Sequence, residues 1–393
     1  MSFTVVTWGT GNVGCYAVRA ILNHPELELV GHIVSSASKA GQDAATLAGL
    51  EAPCGVIATD DIDSALALKP DCVVYTAHSE TRMMEAAEDQ ARCLRQGINV
   101  VSSSLFMLQY PDSPDIAFLA DPLKAACTEG GATCFNNGID PGFANDTMPL
   151  TFTGLSESWS SVRMREVINY ATYEQEHTIR EVMGFGYPVD HDCMLFQPGM
   201  LSLGWGGSVR SVAAGLGVEL ERVYEVHERL PLESDVENAM GVFKAGTTGA
   251  MRFEVRGVVD GRDAIVLEHV TRITDDIAPD WPQGKGYRAI IEGEPRMEIT
   301  MDMEDRHGDH AVAGVIQTAT AIVNAIPAVV AHEPGMVAAL DLPKITGRGL
   351  YRPDEARSGY TGGCALTTAW ATSKEFADEC IKERPGRSAL SPD

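Results

Sequence analysis

Short apolar, β-branched runs alternate with amphipathic stretches through the first third of the chain, and that alternation predicts strands and helices in turn. Residues 4–8 read as a strand, 15–22 as a helix, 28–34 as a second strand and 56–59 as a short third. A helix over 60–68 opens on acidic residues, and a fourth strand covers 72–76. A helix over about 82–96, a strand at 99–103, a helix at 114–130 and a strand at 132–136 continue the order. This is the signature of an α/β fold with a doubly wound parallel sheet.

The pattern breaks at Asn136-Asn137-Gly138-Ile139-Asp140-Pro141-Gly142-Phe143, where two glycines and a proline predict a rigid turn. Beyond it, residues 161–173 alternate like a strand, while 174–185 and 204–216 read as helices. Runs at 224–230, 250–260, 263–274, 287–292 and 296–303 then resemble a series of antiparallel strands. Residues 310–331 return to helix and are expected to pack on the first domain. The tail from about 340 is glycine-rich, and its last ten residues are expected to be mobile. The resulting division is 1–147 for an N-terminal Rossmann domain, 148–308 for a second α+β sheet domain, and 309–393 for a returning helix and tail.

Composition narrows the function classes. At 393 residues there is material for two domains, and 45% hydrophobic with 22% charged residues describes a globular chain. No apolar run is expected to reach the roughly 18 to 20 residues of a membrane span, and no basic segment precedes an apolar one at the N-terminus. A cytoplasmic protein with no membrane partner is the expectation. A net charge of -25 argues against nucleic acid, since no basic excess exists to neutralise phosphates. The nine cysteines are scattered without a C-x-x-C pair, so neither a disulfide framework nor a metal site is expected.

The chemistry begins at Gly9-Thr10-Gly11-Asn12-Val13-Gly14, a G-x-G-x-x-G turn between a strand and a helix. Gly9 would allow the bend, Gly11 the approach of a pyrophosphate to main chain, and Gly14 the packing of helix on strand, with phosphates resting on amides of the helix N-terminus, Asn12 and Val13 among them. The second strand ends in Ser35-Ser36-Ala37-Ser38-Lys39, without the acidic residue that would hold the ribose hydroxyls of NAD. Ser36, Ser38 and Lys39 suit a 2'-phosphate, so NADP is favoured and NAD remains possible. Ala77 and His78 follow the fourth strand, and Ser102 and Ser103 end the fifth, at the carboxyl edge where the nicotinamide half should lie. Asn137, after the next strand, is a further candidate for cofactor contact.

Together with the glycine loop, Ser36-x-Ser38-Lys39-x-Gly41-x-Asp43, Thr59-Asp60-Asp61, Asn99-Val100-Val101-Ser102, Gly138-Ile139-x-Pro141-Gly142-Phe143, Met183-Gly184-Phe185-Gly186, Asn324-Ala325-Ile326-Pro327 and Asp341-Leu342-Pro343 carry a resemblance. Over residues 1–350 the chain resembles the dihydrodipicolinate-reductase-like family, which includes the native amine dehydrogenases and the diaminopentanoate dehydrogenases. The resemblance implies an NAD(P)-dependent enzyme, a Rossmann domain, an α+β substrate domain, a small-molecule pocket between them and a homodimer. It also implies pocket roles for a tyrosine and a strand histidine, carried here by Tyr173 and His269.

One position departs from the resemblance. In the amine-forming members a carboxylate near the loop after the fifth strand handles ammonia, yet residues 102–111 contain no Asp or Glu, and Gln109 stands at or near the expected place. On that ground hydride transfer to an apolar carbonyl compound is expected to exceed reductive amination, with Tyr173 or His269 supplying the proton and Glu166 as a base from the neighbouring domain if amination occurs. Amine dehydrogenase or imine reductase activity is the alternative. A cofactor-binding sensor without turnover is the second, and a dehydrogenase with Cys134 or Cys193 as nucleophile a third. Asn145 and Phe143 could wall the pocket.

Overall fold

The computed structural model describes residues 2–173 and 176–352. Strands β1 (Phe3–Trp8), β2 (Leu27–Ile33), β3 (Ala58–Thr59), β4 (Cys72–Tyr75), β5 (Asn99–Ser102) and β6 (Thr133–Asn136) alternate with helices α1 (Asn12–Asn23), α2 (Ala44–Leu47), α3 (Ile62–Leu66), α4 (Met83–Arg95) and α5 (Ala117–Gly130). The strands form a parallel sheet in the order β15-β6-β5-β4-β1-β2-β3, where β15 (Gly335–Val337) arrives from near the end of the described chain. The strand order reverses between β1 and β4, which is where such a sheet opens a crevice for a dinucleotide. This is the Rossmann half that the sequence predicts.

The second half follows α6 (Thr147–Thr153) and is built on β7 (Ser158–Asn169), the long helix α7 (Met200–Leu216), β8 (Arg222–Pro231), a small hairpin of β9 (Val236–Asn238) and β10 (Gly241–Phe243), and β11 (Thr248–Val259), β12 (Arg262–Arg272), β13 (Gly286–Glu294) and β14 (Met297–Met301). Its main sheet has the order β14-β13-β7-β12-β11-β8. The expected antiparallel series holds for four of the pairings, but the central one, β7 with β12, is parallel. Parallel neighbours need a long crossover, and α7 lies on that connection, packed on one face of β11 and β12 through Val209 and Val212. The helix expected over 174–185 is found, among the described residues, at 176–182, with a π-helical turn at Thr178–Val182.

The apolar segment at the far end corrects an expectation. His310–Val330 is 21 residues long with a mean hydropathy of 1.6, long and apolar enough by composition to cross a membrane. It divides into α8 (His310–Val323) and α9 (Ile326–Val330), with Pro327 in the first turn of the latter. Ala319, Ile322, Val323, Ile326 and Val329 share a buried cluster with Val18 and Ile21 of α1 and with Val5, Val74 and Val101 of the parallel sheet. Each large aliphatic side chain so buried contributes roughly 1.5–3 kcal/mol. These buried side chains serve a core, as the expected return to the first domain requires. The predicted mobility of the last ten residues, together with Cys364 and Cys380, lies outside the described residues.

Candidate active site

The glycine loop has the form a dinucleotide needs. Gly9 has a φ of 122°, and a Cβ there would sit 2.8 Å from the Ala77 nitrogen. A Cβ on Gly14 would lie 2.3 Å from the Gly9 oxygen, so this residue lets α1 close on the loop. Gly11 differs, because a Cβ there would meet nothing within 4 Å. It caps α1 without any side-chain hydrogen bond, leaving the open approach to the helix N-terminus that a pyrophosphate occupies. The residues present thus fit a nicotinamide dinucleotide, which Gly9, Gly11, Asn12, Val13 and Gly14 would hold.

Beside this loop, Lys39 Nζ donates to Thr10 Oγ1 at 2.8 Å, and the Ser36 and Ser38 hydroxyls are paired at 2.7 Å. Asp43, the nearest carboxylate along the chain, is spent on the backbone amides of Ala45, Thr46, Cys54 and Gly55. On the opposite side of the crevice, the loops after β4 and β5 are tied together by Ser79 Oγ, which donates to the Ser104 oxygen at 2.5 Å, and by Ser104 Oγ, which donates to the Ala77 oxygen. His78 is exposed and pairs with Thr81. Ser102 is buried, and its hydroxyl accepts from Gln90 and from the Ser104 amide, so it supports the loop, while its neighbour Ser103 is half-buried. Asn137 is buried and accepts from the Gly138 amide, with its Nδ2 unpartnered.

Across the interdomain space, strand register assembles a row of side chains that no local sequence pattern connects. Glu166 on β7 stands opposite His269 on β12 and opposite Tyr287 on β13, and His269 stands opposite Phe253 on β11. Tyr287 donates its hydroxyl to Glu166 Oε1 at 2.8 Å, and Glu166 Oε2 lies 3.3 Å from His269 Nδ1. On the far side of the imidazole, His269 Nε2 stands 3.1 Å from Asp140 Oδ2, off the line of an aligned hydrogen bond, so this pairing is chiefly charge on charge. Asp140 belongs to the turn after β6 in the Rossmann half and also accepts from Trp205 Nε1 at 2.8 Å and Asn145 Nδ2 at 3.1 Å. The cluster therefore joins both halves of the molecule. Its walls are aromatic, with Trp205 packed on His269, Phe253 and Phe106.

Burial and mutual charge set the protonation of the three groups. Burial pushes the Asp140 carboxyl up, but the His269 charge and donation from Asn145 and Trp205 outweigh it and hold it below the ordinary range. Burial works against the imidazolium of His269, yet Asp140 and Glu166 prevail and raise it. For Glu166 burial is the largest influence, and Asp140 adds to it, while His269 and Tyr287 offset part; its carboxyl is raised to about 7. With Asp140 ionised and His269 charged, the cluster is neutral when Glu166 holds a proton and carries one negative charge when it does not. The donor atoms lie within 4.8 Å of one another, close enough for a cation. Here the carboxylates are already engaged by Trp205, Asn145 and Tyr287, and the imidazolium is the cation between them.

Of the residues chosen from sequence as catalytic, Glu166 and His269 come together and two do not join them. Gln109 is fully buried and its Nε2 donates to Ser208 Oγ of α7 at 2.7 Å, so its amide links the halves of the molecule. Tyr173 packs its ring on Tyr170 at 4.9 Å, near enough to Glu166 for the carboxylate to help raise its phenol after burial, but outside the bonded cluster. Cys134 is buried with its thiol pushed well up by burial, and its Sγ contacts Gln90 and Asn136. Cys193 is likewise buried and donates to the Met183 oxygen. Among the described residues, neither thiol is bonded to a histidine or carboxylate side chain. Asp140, Trp205 and Tyr287 were missed by sequence reasoning, although Asp140 sits inside a quoted motif and its position in a turn after a sheet strand was a usable signal.

Comparison with known proteins agrees with this architecture. The dihydrodipicolinate reductase N-terminus family matches residues 3–104, and the 2,4-diaminopentanoate dehydrogenase C-terminal domain family matches residues 143–349. An amine dehydrogenase from Streptomyces virginiae is 42% identical over 346 residues, covering 86% of this chain and 96% of that one. A 2,4-diaminopentanoate dehydrogenase from Acetoanaerobium sticklandii is 26% identical over 352 residues, covering 86% and 93%. The solved amine dehydrogenase from Mycobacterium smegmatis shares the fold with a TM-score of 0.72 at 23% identity, over 90% of this chain and 98% of that one. With matches to both family models and 42% identity to an amine dehydrogenase over most of its length, the chain belongs to the dihydrodipicolinate-reductase-like family of NAD(P)-dependent oxidoreductases that contains the amine and 2,4-diaminopentanoate dehydrogenases.

Proposed function

We propose that this oxidoreductase is an amine dehydrogenase that interconverts a small apolar amine with its ketone or aldehyde and ammonia, preferring NADP, with Glu166 as acid and base. The observation that carries the reading is the Asp140, His269 and Glu166 cluster, which gains one net negative charge when Glu166 ionises. The expectation of simple carbonyl reduction rested on the lack of a carboxylate at 102–111. Two carboxylates reach the pocket from other places, and a buried ammonium or iminium ion then has a counter-charge. The relative of 42% identity is itself named an amine dehydrogenase.

In the oxidative direction a nicotinamide held at the glycine loop would supply the hydride acceptor for the carbon bearing nitrogen. Glu166 takes the proton that frees the amine lone pair, the Asp140 carboxylate offsets the resulting cation while the His269 imidazolium holds Asp140 and Glu166 in place by charge, and the aromatic walls of Trp205, Phe253 and Phe106 receive an apolar substituent. Glu166 gives its first proton to solvent, takes one from the water that adds to the iminium carbon and passes it to nitrogen, then takes the remaining hydroxyl proton as the carbon–nitrogen bond breaks, the carbonyl forms and ammonia leaves. The NADP preference is supported by Lys39 against Thr10 and by the Ser36 and Ser38 hydroxyls. Carbonyl reduction without ammonia remains the second reading, because protonated Glu166 could also supply a proton to a developing alkoxide. The test compares the rate of reduced-cofactor oxidation with one ketone, with and without saturating ammonium, in wild type and Glu166→Gln. Ammonium-dependent turnover that is lost in the variant is expected; equal rates without ammonium would overturn the amine reading.

A homodimer is part of the same proposal. The helices α6 and α7 pack on one face of the six-stranded sheet, and the other face carries Arg163, Arg165, Arg252 and Arg256 bonded to the buried Glu254 and Glu268. Such a self-complementary face suits a second copy, and light scattering measures the mass directly.

A further inference from the structure

We propose that Tyr287 is the positioning residue of this site: by donating to one oxygen of Glu166 it keeps the other turned to His269 and the substrate, and it thereby governs the pH range in which Glu166 works. Three observations converge. Tyr287 and Glu166 are register partners on adjacent strands, so the contact is set by the backbone of the sheet. The phenol is buried among Met148, Ala289, Met303 and Ala313, which leaves its ring a single orientation. Burial, with Glu166 and Asp140 nearby, pushes its proton affinity well up, so it remains a neutral donor at every working pH.

The groups that face Glu166 divide into those that titrate with it and those that do not. His269 on β12 and Asp140 in the turn after β6 carry charge, and they act on Glu166 in opposite directions. Tyr170 and Tyr173, just after β7, are neutral phenols raised by burial. Tyr287 on β13 is the group that donates a hydrogen bond to the carboxylate, and such a bond favours the ionised form. Removing it should leave Glu166 holding its proton more tightly. The assignment rests on the amine reading only for what Glu166 acts upon.

The test uses Tyr287→Phe, which keeps the ring and removes the hydroxyl. Infrared difference spectra of the cofactor-loaded enzyme without substrate follow the Glu166 carboxyl, identified by its loss in Glu166→Gln, and the pH profile of kcat is recorded in parallel. The carboxyl midpoint is expected to rise by about one unit, a tenfold change in proton affinity, with the acid limb of kcat moving alongside. Site-specific replacement of Tyr287 by 3-fluorotyrosine, a stronger donor of nearly the same shape, should move it down and serves if the phenylalanine variant folds poorly. An unchanged midpoint in both variants would overturn the proposal. A shifted midpoint in an enzyme that deaminates no amine would uphold it while rejecting the amine reading.

Discussion

Glu166 Oε2 lies 3.3 Å from His269 Nδ1, and the two residues are direct partners on β7 and β12, the parallel pair at the centre of the six-stranded sheet. Because sheet register sets their separation, neither side chain relies on a loop for its position. The second neighbour of His269, Asp140, comes from the other half of the molecule, so the electrostatic state of the cluster depends on how the two halves meet.

Glu166→Gln keeps the shape and hydrogen bonding of the side chain but removes its proton chemistry. A fall in kcat of about 10²–10⁴-fold is expected in both directions of amine turnover, with cofactor affinity unchanged. In wild type, oxidative deamination needs the ionised carboxylate, so its rate should rise through pH about 7 and level off above it. Steady-state kinetics from pH 5 to about 9 check the sign, and the step should be absent from residual activity in the variant.

Asp140→Asn leaves His269 with one buried counter-charge in place of two. The imidazolium should then be held less strongly, so the His269 titration midpoint should fall, as followed by proton and nitrogen NMR of the ring. Losing Asp140 also removes a like charge that raises Glu166, but His269 acts on Glu166 more strongly, so once the imidazolium is lost Glu166 is harder to ionise, and amine turnover at neutral pH should drop about tenfold or more.

Two glycines of the same loop should respond differently. Gly11→Val adds a side chain into open space at the helix N-terminus, so the thermal midpoint should hold while the Kd for reduced cofactor rises about a hundredfold. Gly14→Ala forces a Cβ against the Gly9 oxygen, so both stability and cofactor binding should suffer. Calorimetry and fluorescence titration separate the two cases.

Lys39→Ala removes the cation beside Thr10. If a 2'-phosphate rests there, NADP binding should weaken about tenfold or more while NAD binding stays nearly level, since a charged hydrogen bond contributes roughly 1.5–3 kcal/mol. Equal losses for both cofactors would place the lysine away from the phosphate.

The linear chain determined the Rossmann half almost completely. Apolar runs of strand length, the Gly9 to Gly14 turn and the amphipathic helices are local features, and each specifies its own geometry through backbone freedom and one-sided burial. Alternation in 161–173 likewise grouped Glu166 with Val162 and Met164, which lie on the buried face of β7. Tertiary structure decided the rest. That β12 lies parallel to β7, and so sets His269 against Glu166, depends on pairing between strands about a hundred residues apart, which periodicity does not encode. That Gln109 bonds to Ser208, while Asp140 meets Trp205 and His269, follows from how α7 docks on the first domain. A carboxylate works where its charge arrives in space, and only packing brings Asp140, Glu166 and His269 into one low-dielectric pocket where each alters the proton affinity of the others.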